Sequence, residues 1–214
     1  MQKKIINTIM HSDKKLYGVW DKRWKRFNET EKLTPLAIQM FRAKKNAIEK
    51  ALINLDIDSI IEVGCGLGHI LEIYYNMGFK CVGIDVSQNA VNFCRQKGLP
   101  IALQKLEEVE ESYDLISSDG MLEHFLNFEP YARHMMRISN KFVLLIQPNH
   151  DSFWGKTLAY ISEILRKNKN ILEYNYRVKD FIDVFNQNGF VIIQNRSIFL
   201  MFLNYCCSKR RSIN

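Results

Sequence analysis

From Asp58 to Pro148 the chain alternates short apolar runs with helical stretches, and that rhythm restricts its fold more than any other property of the 214 residues. Ser59–Val63 reads as a strand ending in Gly64-Cys65-Gly66-Leu67-Gly68. A helical stretch carrying Ile70, Leu71, Ile73, Tyr74 and Met77 follows, stopped by Gly78. Next come a strand over Cys81–Asp85 and a helix from Ser87, its N-cap, to about Lys97. Ile101–Leu103 and Tyr113–Ser117 read as strands, and a helix through Tyr131–Ile138 leads to a fifth strand, Lys141–Ile146. Beyond Pro148 the pattern predicts a helix from Val178 to Asn188, a strand over Phe190–Gln194 and a last strand over Ser197–Tyr205. Strands separated by helices are joined by crossovers and run parallel, and strands this apolar are covered on both faces. The expectation is an α/β, doubly wound, mostly parallel seven-stranded sheet with helices on both faces.

Before the first strand, Thr34 and Pro35 read as the N-cap and first residue of an amphipathic helix running to about Leu55. Upstream, Tyr17, Trp20 and Trp24 stand among basic residues. That segment fits a helix docked by its aromatic face, a cap over a pocket, or a membrane-surface element. Residues 151–176 interrupt the strand–helix rhythm and are rich in aromatics, including Phe153, Trp154 and Tyr160. The expected organisation is one domain, with a helical cap (1–57), a ligand-binding core (58–150), an aromatic insertion or lid (151–176) and a C-terminal helix with strands (177–214). A composition of 47% apolar residues with 10 Gly and 4 Pro excludes collagen-like and disordered chains. The longest strongly apolar run, Ile198–Leu203, is far shorter than the roughly 20 residues of a membrane span. The polar N-terminus develops no secretory apolar core, so a soluble, cytoplasmic protein is expected. Five cysteines without Cys-x-x-Cys spacing read as reduced, mostly buried thiols, and not as a disulfide framework or zinc site.

The net charge of +7 divides unevenly, with residues 1–50 at +8, 51–150 at −6 and the remainder at +5. Basic ends fit either solvated lysine or a surface for nucleic acid or anionic membrane.

The residues richest in chemistry are Glu62-Val63-Gly64-Cys65-Gly66-Leu67-Gly68. A glycine turn between a first strand and a first helix lets a ligand approach the backbone near the helix's positive N-terminus, although such turns also serve packing. A dinucleotide fingerprint requires its third glycine where His69 stands, which weakens pyrophosphate binding. Asp85 closes the second strand, where a carboxylate accepts from both hydroxyls of a ribose, or caps a turn.

With Gly83-Ile84-Asp85-Val86-Ser87, Tyr113-Asp114-Leu115-Ile116 and Met121-Leu122-Glu123-His124 in this order, the chain resembles the class I S-adenosylmethionine-dependent methyltransferases from about Ser59 to Pro148. The resemblance implies a Rossmann-like sheet, S-adenosylmethionine (SAM) as cofactor, S-adenosylhomocysteine (SAH) as product, and no metal. It also implies roles. Gly64, Gly66 and Gly68, with Cys65 between them, pass the methionine moiety, and Glu62 places its ammonium group. Asp85 holds the ribose and Val86 packs on the adenine. Ser118 and Asp119 face the sulfonium side of the pocket. The family's acidic residue after the third strand is missing, leaving Gln104 and Lys105 as adenine-side candidates. Its Pro-Gly-Gly turn is replaced by Ile138-Ser139-Asn140-Lys141.

Transfer from a sulfonium rests largely on alignment and exclusion of water. An alcohol acceptor also needs a base, and His124 is the first candidate, with a structural role as its alternative; His150 is the second. His124, His134 and His150 lack the close ligand pairing of helical zinc sites. No Asp-Pro-Pro-Tyr motif follows the fourth strand, which disfavours an exocyclic-amine nucleic-acid substrate. Aromatic walls favour a small-molecule acceptor, methylated on oxygen. The rivals are an RNA methyltransferase using Lys22, Arg23, Lys25 and Arg26 on phosphates, and a non-catalytic cofactor-binding module. Peripheral membrane contact through Leu200–Leu203 and the basic tail is a further alternative.

Overall fold

The computed structural model describes residues 16–26, 35–148, 173–198 and 202–209, without the side chains of 36, 37, 198 and 202–209. Its helices are α1 (16–26), α2 (Pro35–Leu52), α3 (His69–Asn76), α4 (Gln88–Gln96), α5 (Glu129–Arg137) and α6 (Val178–Gln187). Its strands are β1 (Ser59–Val63), β2 (Lys80–Asp85), β3 (Ile101–Leu103), β4 (Tyr113–Asp119), β5 (Ser139–Pro148), β6 (Phe190–Ile198) and β7 (Phe202–Lys209). They form one sheet in the order β3-β2-β1-β4-β5-β7-β6. β1 to β5 run parallel, while β7 pairs antiparallel with both β5 and β6. The strand order reverses between β1 and β4, the crevice where open parallel sheets hold ligands.

The two-residue period of the strands sends neighbouring apolar residues to opposite faces. Ile61, Val63, Ile116, Val143 and Leu145 meet Tyr131 and Met135 of α5 and Phe181 and Phe185 of α6. Ile60, Leu115, Leu144 and Ile146 meet Ile48 and Leu52 of α2 and Ile70, Ile73 and Tyr74 of α3. Leu71 of α3 joins Val91 and Cys94 of α4 in a third cluster, which shares Cys81 with the second. The sheet is therefore parallel at its centre and covered on both faces, an α/β Rossmann-like arrangement.

Helix starts follow their capping chemistry. Ser87 Oγ accepts from Ala90 N at 3.2 Å, as an N-cap serine should. The Ser139-Asn140-Lys141 stretch expected as a turn is already strand: β5 begins at Ser139, whose Oγ donates to Phe142 O, and β4 and β5 shift register between Tyr113 and Leu115. Asp114 accepts from Asp58 N at 2.9 Å and lies 3.4 Å from Lys141 Nζ, which ties the entry to β1 to the start of β4.

Element bounds differ from expectation at several points, and β4 runs on to Asp119. α2 ends at Leu52, not near Leu55. The acidic stretch after β3 holds a 3-10 turn, Leu106–Glu108, anchored by buried Leu106. Ser197 and Ile198 belong to β6, and β7 extends into the basic segment as far as Lys209. An unbroken apolar run has no periodicity that marks a reversal. The expected insertion over 151–176 lies outside the described residues up to 172, as does His150. Among the described residues no helix is long and apolar enough to cross a membrane.

Tyr74 and Ser117, both fully buried, share a 2.7 Å hydrogen bond that joins α3 to β4. Tyr74→Phe strips Ser117 of that partner and should lower unfolding stability by about 1–3 kcal/mol in urea titrations. Adding Ser117→Ala should cost less than the two single losses combined.

Candidate functional site

The glycine loop is built by backbone geometry. Gly64, Gly66 and Gly68 all have positive φ, at 69°, 51° and 73°. Side chains adopt that region only under strain, and a Cβ on Gly66 would also stand 2.8 Å from the Trp24 ring. Gly64 N and Cys65 N both donate to Ile84 O, which fastens the loop to the end of β2. One residue on, Asp85 receives two backbone donors at 2.8 Å, Gly66 N on Oδ2 and Ser87 N on Oδ1. Burial raises the Asp85 pKa, with the two hydrogen bonds opposing it.

Above the loop lies a cavity of about 290 Å³. Glu62 forms part of its floor at 2% exposure, and its Oε2 has no hydrogen-bond partner. Burial, with the neighbouring charge of Asp119, pushes its carboxyl well above the usual range. Asp119 lines the cavity too, and both its oxygens accept from Lys44 Nζ of α2, at 2.8 and 2.7 Å. Val86 and Gln104 contribute from the ends of β2 and β3.

Helix α1 forms the roof. Leu16, Trp20 and Trp24 recur every four residues, with Tyr17 and Asp21 beside them, while Lys22, Lys25 and Arg26 are exposed. Trp20 and Trp24 stack at 5.5 Å, and Trp20 meets the His124 ring edge-on at 4.7 Å. Tyr17 donates to Glu107 at 3.5 Å, and Arg23 lies 5.6 Å over Trp20. The aromatic segment is thus both a docked helix and a cap over the pocket.

His124 sits in a 3-10 turn, Leu122–His124, just after β4. Its Nε2 is 3.8 Å from Oε1 of Glu123, and the ring lines the cavity at 8% exposure. The end of the expected insertion returns here. Tyr174 N donates to Glu123 O at 2.8 Å, Tyr176 OH donates to Phe125 O and Leu126 O, and Glu173 joins the lining.

Of the residues singled out from sequence, Glu62, Gly64, Cys65, Gly66, Asp85, Val86, Gln104, Asp119 and His124 come together around the cavity. Gly68, Lys105 and Ser118 lie outside its lining. Gly68 caps α3 and backs onto Cys94 and Leu99, where a Cβ would meet both at 2.8 Å. The Lys105 ammonium pairs with Glu108 at 3.1 Å on the surface. Ser118, fully buried, donates from Oγ to Val63 O and joins β4 to β1. His134 is occupied at Val109 O. Among the described residues no group of three or more His, Cys, Asp and Glu side chains is arranged to hold a metal ion. Cys65, Cys81 and Cys94 are free thiols. Sequence reasoning passed over Lys44, Asp21 and Glu107, whose partners are remote in the chain, and Glu173, which joins the lining from beyond β5. The one local signal was Asp21, an acid inside a basic run.

Glu123 is 4% exposed with Oε2 unpartnered, and burial pushes its carboxyl up from 4.5 to about 8. Between those values the unfolded chain has lost the proton that the folded one keeps, so stability falls as pH rises through that window. Glu123→Gln should flatten the decline and stabilise the protein at pH 8 by on the order of a few kcal/mol. Urea unfolding of both forms at pH 5 and pH 8 measures it.

A family model described as a methyltransferase domain matches residues 36–195. No curated protein matches the sequence significantly. Among solved structures, a magnesium protoporphyrin IX methyltransferase from Synechocystis PCC 6803 with bound SAH superposes at a TM-score of 0.68. It is 17% identical, over 95% of this chain and 100% of that one. The DhpI–SAM–HEP complex superposes at 0.67, with 13% identity over 91% of this chain and 96% of that one. A possible histamine N-methyltransferase from Thermotoga maritima gives 0.65, with 15% identity over 88% and 96%. At these identities the structural likeness is one of fold, and it is the family model, spanning well over half of the chain, that carries membership: this protein is an enzyme of the class I S-adenosylmethionine-dependent methyltransferases.

Proposed function

We propose that the cavity between the glycine loop and α1 takes SAM, and that the enzyme methylates a small-molecule acceptor on oxygen. The observation that carries this reading is Asp85. Backbone N–H groups of Gly66 and Ser87 hold one lone pair on each carboxylate oxygen. The remaining acceptor capacity lines the cavity and suits two ribose hydroxyls. The orphaned Oε2 of Glu62 fits an ammonium group in the same cavity, and an arriving cation would draw its carboxyl back to the ionised form. Val86 and Gln104 suit the adenine, and Gly64, Cys65 and Gly66 leave room for the methionine chain.

When bound, SAM supplies a methyl group already activated on a sulfonium. The chain's part is to align the acceptor, exclude water and remove a proton. His124, against Trp20 at the cavity wall, is the residue we assign to accept the acceptor's hydroxyl proton. The aromatic lining from Trp20, Phe125 and Tyr131 supports a small organic acceptor, as does the likeness in fold to an enzyme named for magnesium protoporphyrin IX. Residues 151–176 would then act as an acceptor-facing lid on a single domain. Three free thiols fit a reducing, cytoplasmic setting.

Calorimetric titration with SAM and SAH tests the cofactor site. The wild type should bind both, and Asp85→Ala should bind at least about tenfold more weakly. No binding by the folded wild type would sink the assignment. With an acceptor found by screening for SAH release, His124→Asn should keep cofactor binding and lose about a hundredfold in turnover.

A further inference from the structure

Helix α1 roofs the cavity, and one of its residues, Asp21, ties it to the start of α4. Oδ1 of Asp21 accepts from Ser87 Oγ at 2.7 Å and from Asn89 N at 3.0 Å. Its Oδ2 accepts from Asn89 Nδ2 at 2.9 Å, and that same amide donates to Asp21 O at 3.2 Å. The carboxylate thus sits at the N-terminus of α4, where negative charge is favoured and hydrogen bonds are charge-assisted. Burial works against its ionised form, but the hydrogen bonds from Asn89 and Ser87 prevail and hold the pKa below the ordinary value.

Ser87 is shared. Its hydroxyl holds Asp21, and its backbone N–H holds Oδ1 of Asp85. The group proposed to receive the ribose and the group that fastens the roof are therefore joined through one residue. The inner face of α1 looks onto the cavity through Tyr17, Trp20 and Trp24, which meet Glu107, His124 and the loop residue Gly66, while Leu16 packs against the apolar cluster that contains Ile61 and Tyr131.

We propose that Asp21 is a positioning residue that latches α1 over the bound cofactor, through Ser87 and Asn89, so that cofactor and product leave when the latch opens. This rests on the cofactor reading above. The latch acts by holding Trp20 and Trp24 over the site, and it makes lid opening a candidate for the slow step of turnover.

The test is the dissociation rate of SAH from the full-length protein, followed by surface plasmon resonance alongside melting temperature. Asp21→Ala should release SAH about tenfold faster or more, with Asp21→Asn in between. Asn89→Ala, which removes one side-chain donor and leaves Ser87 in place, should also quicken release and serves if Asp21→Ala does not fold. A folded Asp21→Ala or Asn89→Ala that lowers the melting temperature but releases SAH at the wild-type rate overturns the latch and leaves Asp21 a structural cap. Failure of the wild type to bind SAH overturns the cofactor reading and the latch with it. Wild-type binding with loss only in Asp85→Ala keeps the first and rejects the second.

Discussion

The structure around the site depends on how Asp85 is held. Its two oxygens take one backbone N–H each, from Gly66 on the loop after β1 and from Ser87 at the start of α4. A buried carboxylate left unpaired is costly, so this arrangement disciplines both donors. The loop must curl back toward β2, which needs positive φ at its glycines, and α4 must begin where Ser87 can reach. Parallel pairing of β1 with β2 brings the loop and the carboxylate together at the carboxyl ends of the strands. The switch point, the loop, the helix start and the roof are consequences of one another.

Charge distribution follows the same logic. The segment 51–150 is acidic within a basic chain, and the acids are not all solvated. Glu62, Asp85, Glu107, Asp119 and Glu173 converge on one cavity, against Arg23 on the roof. Lys44 meets Asp119 from behind, in a pair that is mostly buried. The acid excess is tempered within the pocket, because burial holds Glu62 toward its neutral form and Lys44 offsets Asp119. The other basic residues of α1, Lys22, Lys25 and Arg26, are exposed and lie outside the lining.

Much of this was legible because it is local. The loop, the acid closing β2 and the N-cap serine each sit at a fixed offset from a strand or helix end, and the order of strands and helices dictated the parallel core. The rest was not local. Nothing in Ser118 distinguishes a cavity residue from one that bonds Val63 across the sheet, because the strand alternates faces and a shift of one residue exchanges them. Lys105 is one position from Gln104, and a salt bridge to Glu108 decides its direction. The partners of Asp21 lie 66 and 68 residues along the chain. The reversal between β6 and β7 was hidden in an apolar run that periodicity cannot divide.

Gly68 carries a consequence for how the loop tolerates change. It stands in the glycine run, yet what crowds it is Cys94 and Leu99 rather than the cavity. A side chain there would press on the seam between α3 and α4 before reaching the pocket. The glycine run thus answers to two separate demands, a close approach to the cavity and the Trp24 ring at Gly66 and helix packing at Gly68, and a substitution at one position need not disturb the other.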